Sequence, residues 1–103
     1  MNISVPKERR PFEFRVGLPP AGVGMFTRHG HTVFVERDAG KGAGFEDQEY
    51  INAGAQIAYS LEETLGRADL VLKFARPDHE NSVIYWILIV RFDIYWKINA
   101  FSF

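Results

Sequence analysis

Arg15 and Lys73 are the two side chains of this sequence best suited to binding a small carboxylate ligand. An arginine guanidinium forms two parallel hydrogen bonds with a carboxylate, and a lysine ammonium beside it can polarise a carbonyl group. Together they would suit a small 2-oxo acid or an amino acid. Because the two residues lie far apart in the chain, this chemistry depends on a fold that brings them together.

Lys73 follows a short apolar run that predicts a fully buried strand over residues 70–72. The run is too short for a helix, and a loop containing Pro77 follows it. A lysine at the carboxyl end of such a strand lies where open α/β sheets bind their ligands. The alternative is a lysine that is simply solvated at the end of its strand.

Arg15 lies in a stretch, residues 13–16, in which polar and apolar residues alternate. That period predicts an extended segment in which Arg15 points away from the face that buries Phe14 and Val16. Residues 7–10 form a mixed charge cluster, which we interpret as a solvated loop.

The loop of residues 39–45 contains Gly40, Gly42 and Gly44 between a predicted strand and a predicted helix. Its position would suit a nucleotide, but a dinucleotide fingerprint needs the third glycine three residues after the second. A tight, flexible turn is therefore the favoured interpretation of this loop, and nucleotide binding is the alternative.

His29 and His31 flank a glycine, and two imidazoles can bind a metal ion. No metal-binding spacing motif accompanies them, since the nearest acid in the sequence is Glu36. Histidines in a surface loop are the simpler interpretation, and His79, between two acids, is expected to be solvated. We predict no metal site.

The composition excludes several classes of protein. The chain has 103 residues, of which 47% are hydrophobic and 24% charged, and this indicates one globular domain. Its 12 basic and 13 acidic residues give no reason to expect nucleic acid or an anionic membrane as partner. The absence of cysteine excludes disulfides and thiol catalysis. The longest apolar run, 83–90, is too short to span a bilayer, and residues 1–6 lack a signal-peptide core, so a cytoplasmic location is the default expectation.

Strand and helix signals alternate along the first part of the chain. Strands are predicted at residues 3–5, 32–36, 56–59 and 69–73. Three helices lie between them, and the alternation predicts an α/β fold, a three-layer αβα domain with a mainly parallel sheet of four or five strands, like half of a Rossmann or flavodoxin fold.

Local signals give the bounds of these three helices. The first starts at Pro20 and stops at Gly30. The second begins among acids at 46, 47 and 49, with Tyr50, Ile51 and Ala53 expected to face inward. The third has a capping box in which Ser60 and Glu63 bond each other's backbone amides.

The composition changes after about residue 82. Both tryptophans lie beyond this point, residues 83–90 could form a buried strand, and apolar and polar residues alternate over 91–98. We therefore expect a domain over residues 1–82 and a divergent apolar tail over 83–103, foreign to that domain, with the potential to form one more strand.

The order of motifs over residues 1–80 strongly resembles the N-terminal domain of alanine dehydrogenase, which the alpha subunit of proton-translocating NAD(P) transhydrogenase shares. The resemblance rests on Val5-Pro6-Lys7-Glu8, Glu13-Phe14-Arg15-Val16, Pro20-Ala21-Gly22-Val23, Gly30-His31, the glycine loop 39–45, Tyr50, Ala53-Gly54-Ala55 and residues 68–73. The end of the glycine loop, Gly44-Phe45, is more similar to the dehydrogenase branch.

This resemblance implies roles for the two basic residues. Arg15 would bind the substrate carboxylate, and Lys73 would be the catalytic residue that contacts the carbonyl or amino end of the substrate. In such enzymes NAD takes a hydride from L-alanine, and water converts the resulting imine to pyruvate and ammonium.

The chain also departs from the family pattern. Pro19 replaces a Ser or Thr, a lost helix cap that typically costs about 1 kcal/mol, and Phe12 replaces an asparagine. Residues 83–103 contain no histidine where the catalytic one is expected, and the dinucleotide fingerprint of a cofactor domain is missing.

These departures imply a domain that is inactive alone and that binds no NAD by itself. A partner chain or a homo-oligomer would have to complete the site. Three alternatives remain open: the N-terminal domain of a transhydrogenase alpha subunit, a non-catalytic fragment that binds a small carboxylate or a partner subunit, and a decayed remnant with no activity.

Overall fold

The carboxyl ends of four parallel strands meet along one edge of a sheet in the computed structural model, which describes residues 1–74. The strands are β1 (Asn2–Val5), β2 (Thr32–Glu36), β3 (Gln56–Ala58) and β4 (Leu70–Val71). The helices between them are α1 (Pro20–Arg28), α2 (Asp47–Asn52) and α3 (Leu61–Gly66), with a short 3-10 turn at Lys41–Ala43. The predicted alternation of strands and helices is confirmed.

The strand order is β3-β2-β1-β4, so β1 lies between two parallel neighbours. Ile3 of β1 pairs on both sides, with Val33 of β2 and with Leu70 of β4. In a parallel sheet all carboxyl ends lie at the same edge, which is where α/β folds place their ligand sites. The chain segments that follow β1, β2 and β4 are therefore neighbours in space.

Helices cover both faces of this sheet, which confirms the three-layer α/β architecture. On one face, Ile3 and Val5 belong to a buried cluster that includes Val23 of α1 and Tyr50 of α2. On the other face, the buried Ser4 hydroxyl donates a 2.7 Å hydrogen bond to the carbonyl of Thr64 in α3. The alternation of side chains along β1 separates these two layers.

The predicted ends of α1 are confirmed. Pro20 occupies the first turn, and Pro19 provides no side-chain cap for the helix. Gly30, just beyond the helix, has a φ of 86°, a conformation that glycine adopts without steric cost.

The capping box predicted for α3 is only half formed. The reciprocal capping box lies at α2, between Glu46 and Glu49. At α3, the Ser60 hydroxyl accepts from the amide of Glu63 at 3.0 Å, as predicted. The Glu63 carboxylate, however, accepts from the amide of Tyr59 rather than from that of Ser60.

Three burial predictions are wrong. Phe14 is 63% exposed, because residues 13–16 join no strand and lie along the wall of a cleft. Ile51 is 47% exposed, whereas its neighbour Tyr50 is buried. The strand β4 is half-buried rather than fully buried, since it is the edge strand of the described sheet.

Several predictions concern residues outside the described part of the chain. These are the solvated His79, the domain boundary near residue 82 and the further strand within 83–103. Within residues 1–74, no helix has the length and apolar character needed to cross a bilayer.

Tyr50 links the main core to the segment that precedes α1. Its side chain is fully buried, and its hydroxyl donates a 2.8 Å hydrogen bond to the carbonyl of Leu18. Burial, with smaller contributions from the carboxylates of Glu49 and Asp47, raises the pKa of Tyr50 from 10.0 to about 12.

We expect Tyr50→Phe to lower the free energy of unfolding by about 1–3 kcal/mol at neutral pH, because the carbonyl of Leu18 loses a buried donor. Above pH 10 the tyrosine ionises in the unfolded chain before it does so in the folded one, so the wild type loses stability between pH 10 and about 12. Urea titrations across this range should show the difference between the two proteins shrinking. A difference that stays constant would contradict this assignment.

Phe12 adopts a φ of 62°, in the left-handed region that a bulky side chain rarely occupies, and its side chain is 89% exposed. Asparagine tolerates this conformation far better. We expect Phe12→Asn to raise the free energy of unfolding by about 1 kcal/mol. Phe12→Ala, which removes the exposed ring but keeps a Cβ in the same conformation, is the control and should give a smaller gain.

Candidate functional site

A cleft of about 270 Å³ opens at the carboxyl edge of the sheet. One wall follows β1 and the other follows β2, as the parallel register requires. The lining residues are Lys7, Glu8, Glu13, Phe14, Arg15, Asp38, Ala39, Lys41 and Gly42.

The fold brings the segments that carry Arg15 and Lys73 into direct contact. A Cβ added to Gly17 would lie 2.2 Å from the carbonyl oxygen of Leu72 and 2.9 Å from the Cα of Lys73, so only glycine permits this approach. The Arg15 guanidinium carbon lies 4.6 Å from the centroid of the Phe74 ring, in a cation–π contact. The structure thus brings the two chain segments together, with Arg15 in the cleft lining and Lys73 paired with the cleft residue Glu8.

Lys73 is buried in an ion pair. Its side chain is 5% exposed, and its Nζ lies 3.2 Å from Oε1 of Glu8, whose side chain is 2% exposed. The other carboxylate oxygen of Glu8 accepts a 3.0 Å hydrogen bond from the amide of Phe74. The alternative of a solvated lysine is therefore wrong, and Lys73 contacts the cleft wall through Glu8.

Arg15 is exposed and pairs with a residue two positions away. Its Nε and Nη2 donate to the two carboxylate oxygens of Glu13 at 2.7 and 3.0 Å, although 64% of the arginine side chain is exposed. These hydrogen bonds lower the pKa of Glu13 from 4.5 to about 2, and the same bonds raise the pKa of Arg15. Both groups are consequently charged throughout the neutral range.

A second buried carboxylate, Glu36 at the end of β2, fixes the loop that follows β1. It pairs with the guanidinium of Arg9, and its Oε1 accepts a 2.9 Å hydrogen bond from the amide of Lys7. The interpretation of residues 7–10 as a solvated loop is therefore wrong for Glu8, which is 8% exposed. The sequence signal from which both ion pairs could have been predicted was the presence of opposite charges at or just after the ends of neighbouring strands.

The glycine loop is explained by packing. A Cβ on Gly40 would lie 2.6 Å from the ring of Tyr50, and one on Gly42 would lie 3.3 Å from the backbone of Phe14. Gly44 has a φ of 90°. These glycines let the loop pack closely against its neighbours, in agreement with the interpretation of the loop as a tight turn.

The two neighbouring histidines are each bonded within the protein. Nδ1 of His29 lies 2.8 Å from the carbonyl of Met25, and Nδ1 of His31 lies 3.0 Å from the N-terminal amine. Within residues 1–74 no three side chains of the metal-binding types cluster.

The arrangement is suited to binding rather than to proton transfer. The guanidinium of Arg15 is exposed at the cleft, whereas the ammonium of Lys73 is buried and paired with Glu8, a residue of the cleft wall. A small carboxylate matches the exposed guanidinium.

Comparisons with protein families and with known proteins point to the same family. Residues 4–86 match the family model described as alanine dehydrogenase/PNT, N-terminal domain. The chain is 45% identical over 81 residues to the alanine dehydrogenase of Staphylococcus haemolyticus, covering 79% of this chain but 21% of the relative. It therefore spans about a fifth of that relative's length.

Solved structures give the same result. An L-alanine dehydrogenase superposes with a TM-score of 0.79 at 44% identity, covering 82% of this chain and 23% of that one. The transhydrogenase from Sinorhizobium meliloti superposes with a TM-score of 0.71 at 34% identity, covering 78% and 22%.

The Glu8–Lys73 ion pair can be tested by a double-mutant cycle. We expect Glu8→Gln to lower the free energy of unfolding by about 3–5 kcal/mol, because it leaves the Lys73 ammonium buried beside a neutral amide. In the double variant Glu8→Gln/Lys73→Met, the loss should be smaller than the sum of the two single losses by about 1 kcal/mol or more. Strict additivity in denaturant titrations would mean that the two charges do not stabilise each other.

Proposed function

Because the chain belongs to the alanine dehydrogenase/PNT N-terminal domain family, we propose that it is the substrate-side domain of an alanine dehydrogenase-like oxidoreductase. The complete enzyme would convert L-alanine to pyruvate and ammonium with NAD as hydride acceptor. The observation that supports the proposal for this chain is the contact between the Arg15 segment and the end of β4, which places the exposed Arg15 guanidinium of the cleft next to the strand end that carries Lys73.

Arg15 is proposed to bind the carboxylate that L-alanine and pyruvate share. Its guanidinium is exposed at the cleft, and Glu13 raises its pKa further above the ordinary value. A planar guanidinium can hold a carboxylate with two hydrogen bonds, which fixes the direction of the bound molecule as well as its position. The reacting carbon, which is bonded to the carboxylate, is then held at a fixed position relative to Arg15.

Lys73 is proposed to act at the other end of the ligand as the catalytic residue. Its ammonium can donate a hydrogen bond to the carbonyl oxygen of pyruvate or orient the amino end of L-alanine. The ion pair with Glu8 and the bond from the amide of Phe74 to Glu8 fix the position of this ammonium at the carboxyl end of β4.

NAD would be bound by residues other than those described. The packing of the glycine loop against Tyr50 and Phe14 does not fit a dinucleotide, so we assign no step of the reaction through NAD to residues 1–74. We propose that a cofactor domain outside this stretch, or in a partner chain or another copy, completes the site. A cytoplasmic location, and a domain boundary near residue 82 followed by a divergent tail, belong to the same proposal.

The dehydrogenase is preferred over the transhydrogenase as the parent enzyme. Identity to the L-alanine dehydrogenase structure is 44%, against 34% to the transhydrogenase, and the TM-score is higher as well. Binding of pyruvate, the product proposed for the dehydrogenase, would further favour this candidate.

Calorimetric titration of the purified chain with pyruvate, and separately with NADH, tests the proposal. We expect pyruvate to bind and NADH not to bind. Arg15→Ala should weaken pyruvate binding by about tenfold to a hundredfold, because a charge-assisted pair of hydrogen bonds is lost. Arg15→Lys keeps the positive charge but lacks the planar guanidinium, so its affinity for pyruvate should lie between those of the wild type and Arg15→Ala.

The matched control is Arg28→Ala, which removes an exposed arginine from the last turn of α1, outside the cleft. Its pyruvate affinity should equal that of the wild type. Pyruvate binding that is insensitive to Arg15→Ala, in a variant with an unchanged melting curve, would refute the assignment of the carboxylate site.

A further inference from the structure

The guanidinium of Arg15 is held on two sides by other residues. Glu13 accepts from Nε and Nη2, and its Oε1 also lies 3.2 Å from the backbone amide of Arg15. The Phe74 ring covers one face of the guanidinium. Without these contacts an exposed arginine would sample many rotamers. Glu13 and Phe74 therefore restrict the conformations of the Arg15 side chain.

The contacts leave one edge of the guanidinium open. A guanidinium has five N–H groups and two edges that can hold a carboxylate. Glu13 occupies the edge formed by Nε and Nη2. The terminal edge, formed by Nη1 and the second hydrogen of Nη2, forms no hydrogen bond with the described residues.

We propose that Glu13 and Phe74 are positioning residues that fix the Arg15 guanidinium so that its terminal edge receives the ligand carboxylate. This inference rests on the proposed function, because it assumes that Arg15 binds the carboxylate. Glu13 contributes by binding the inner edge and Phe74 by covering one face. The ligand then meets a guanidinium that is already oriented and avoids the cost of ordering it.

The local character of the pair supports a role in orientation rather than in stability. Glu13 and Arg15 are two residues apart and lie in a segment outside the regular elements. The Glu13 side chain is 15% exposed, but that of Arg15 is 64% exposed, and an ion pair with so exposed a partner contributes little to folding. A contact that stabilises the fold weakly but fixes a cation at the cleft has its main effect on ligand binding.

The opposite role for Glu13 is physically reasonable and must be distinguished. A carboxylate on the guanidinium could compete with the ligand carboxylate or repel it. Competition and repulsion both predict that removing Glu13 tightens binding, whereas positioning predicts that it weakens binding.

Glu13→Asp is the decisive variant, because it keeps the charge and shortens the side chain by one methylene. We expect pyruvate binding to weaken by about threefold to tenfold, the size of the cost of ordering one long side chain. The melting temperature should stay within about a degree of the wild type, since the Arg15 side chain is 64% exposed and Glu13→Asp keeps the charge. Unchanged or tighter binding in Glu13→Asp would overturn the proposal.

Two further variants separate charge from orientation. Glu13→Gln removes one negative charge from the cleft, and Asp38→Asn removes one from the same cleft without touching Arg15. We expect Glu13→Gln to bind pyruvate more weakly than Asp38→Asn. Equal affinities would mean that Glu13 acts only through its charge, which would also overturn the proposal.

Phe74→Leu tests the second contact independently. It removes the ring from the face of the guanidinium and leaves the backbone amide that bonds Glu8. We expect Phe74→Leu to weaken pyruvate binding by about as much as Glu13→Asp does. Unchanged binding would mean that Phe74 does not position Arg15.

The outcome with Arg15→Ala separates the two levels of inference. If Arg15→Ala weakens pyruvate binding and Glu13→Asp does not, the proposed function stands and the positioning role fails. If neither variant changes the affinity, or if the wild type binds no pyruvate, the proposed function fails and the positioning role fails with it.

Discussion

The buried ion pair between Glu8 and Lys73 joins the segments that follow the central strand and the edge strand of the described sheet. Burying either charge alone costs several kcal/mol, so each residue requires the other to be in place. The second oxygen of Glu8 also accepts from the amide of Phe74, which fixes the backbone just beyond β4. Phe74 in turn contacts the guanidinium of Arg15. Through this chain of contacts, one ion pair determines where the exposed cation of the cleft lies.

The positions of the cations Arg15 and Lys73 are fixed in two different ways. Lys73 is fixed by burial and by a partner 65 residues away, so its position depends on the tertiary fold. Arg15 is fixed by a partner two residues away and by a ring on its face, so its position depends on local contacts. Gly17 connects the two, because the absence of a side chain there lets the Arg15 segment lie against Leu72.

The parts of the fold that could be predicted from the sequence are those set by local pattern. Alternating strand and helix signals, with Pro20 and Gly30 at the ends of α1, predicted the order of elements and the parallel sheet. The same patterns could not predict that Glu8 is buried, because a charge cluster after a strand has the composition of a solvated loop. The alternation of polar and apolar residues over 13–16 predicted that Phe14 is buried, but it is exposed. Such alternation indicates a buried face only where the segment pairs with neighbouring strands, and residues 13–16 join no strand.

The balance of charge in the cleft indicates how a ligand could be selected there. Lys7, Arg15 and Lys41 face Glu8, Glu13 and Asp38, so the lining residues have no net charge. A cleft of this kind does not attract anions in general, and long-range steering contributes little. Selection must then come from the geometry of individual hydrogen bonds, since Glu8 and Glu13 each have a cationic partner. An oriented guanidinium edge meets this requirement, because its two donors match the two oxygens of a carboxylate and few other small groups.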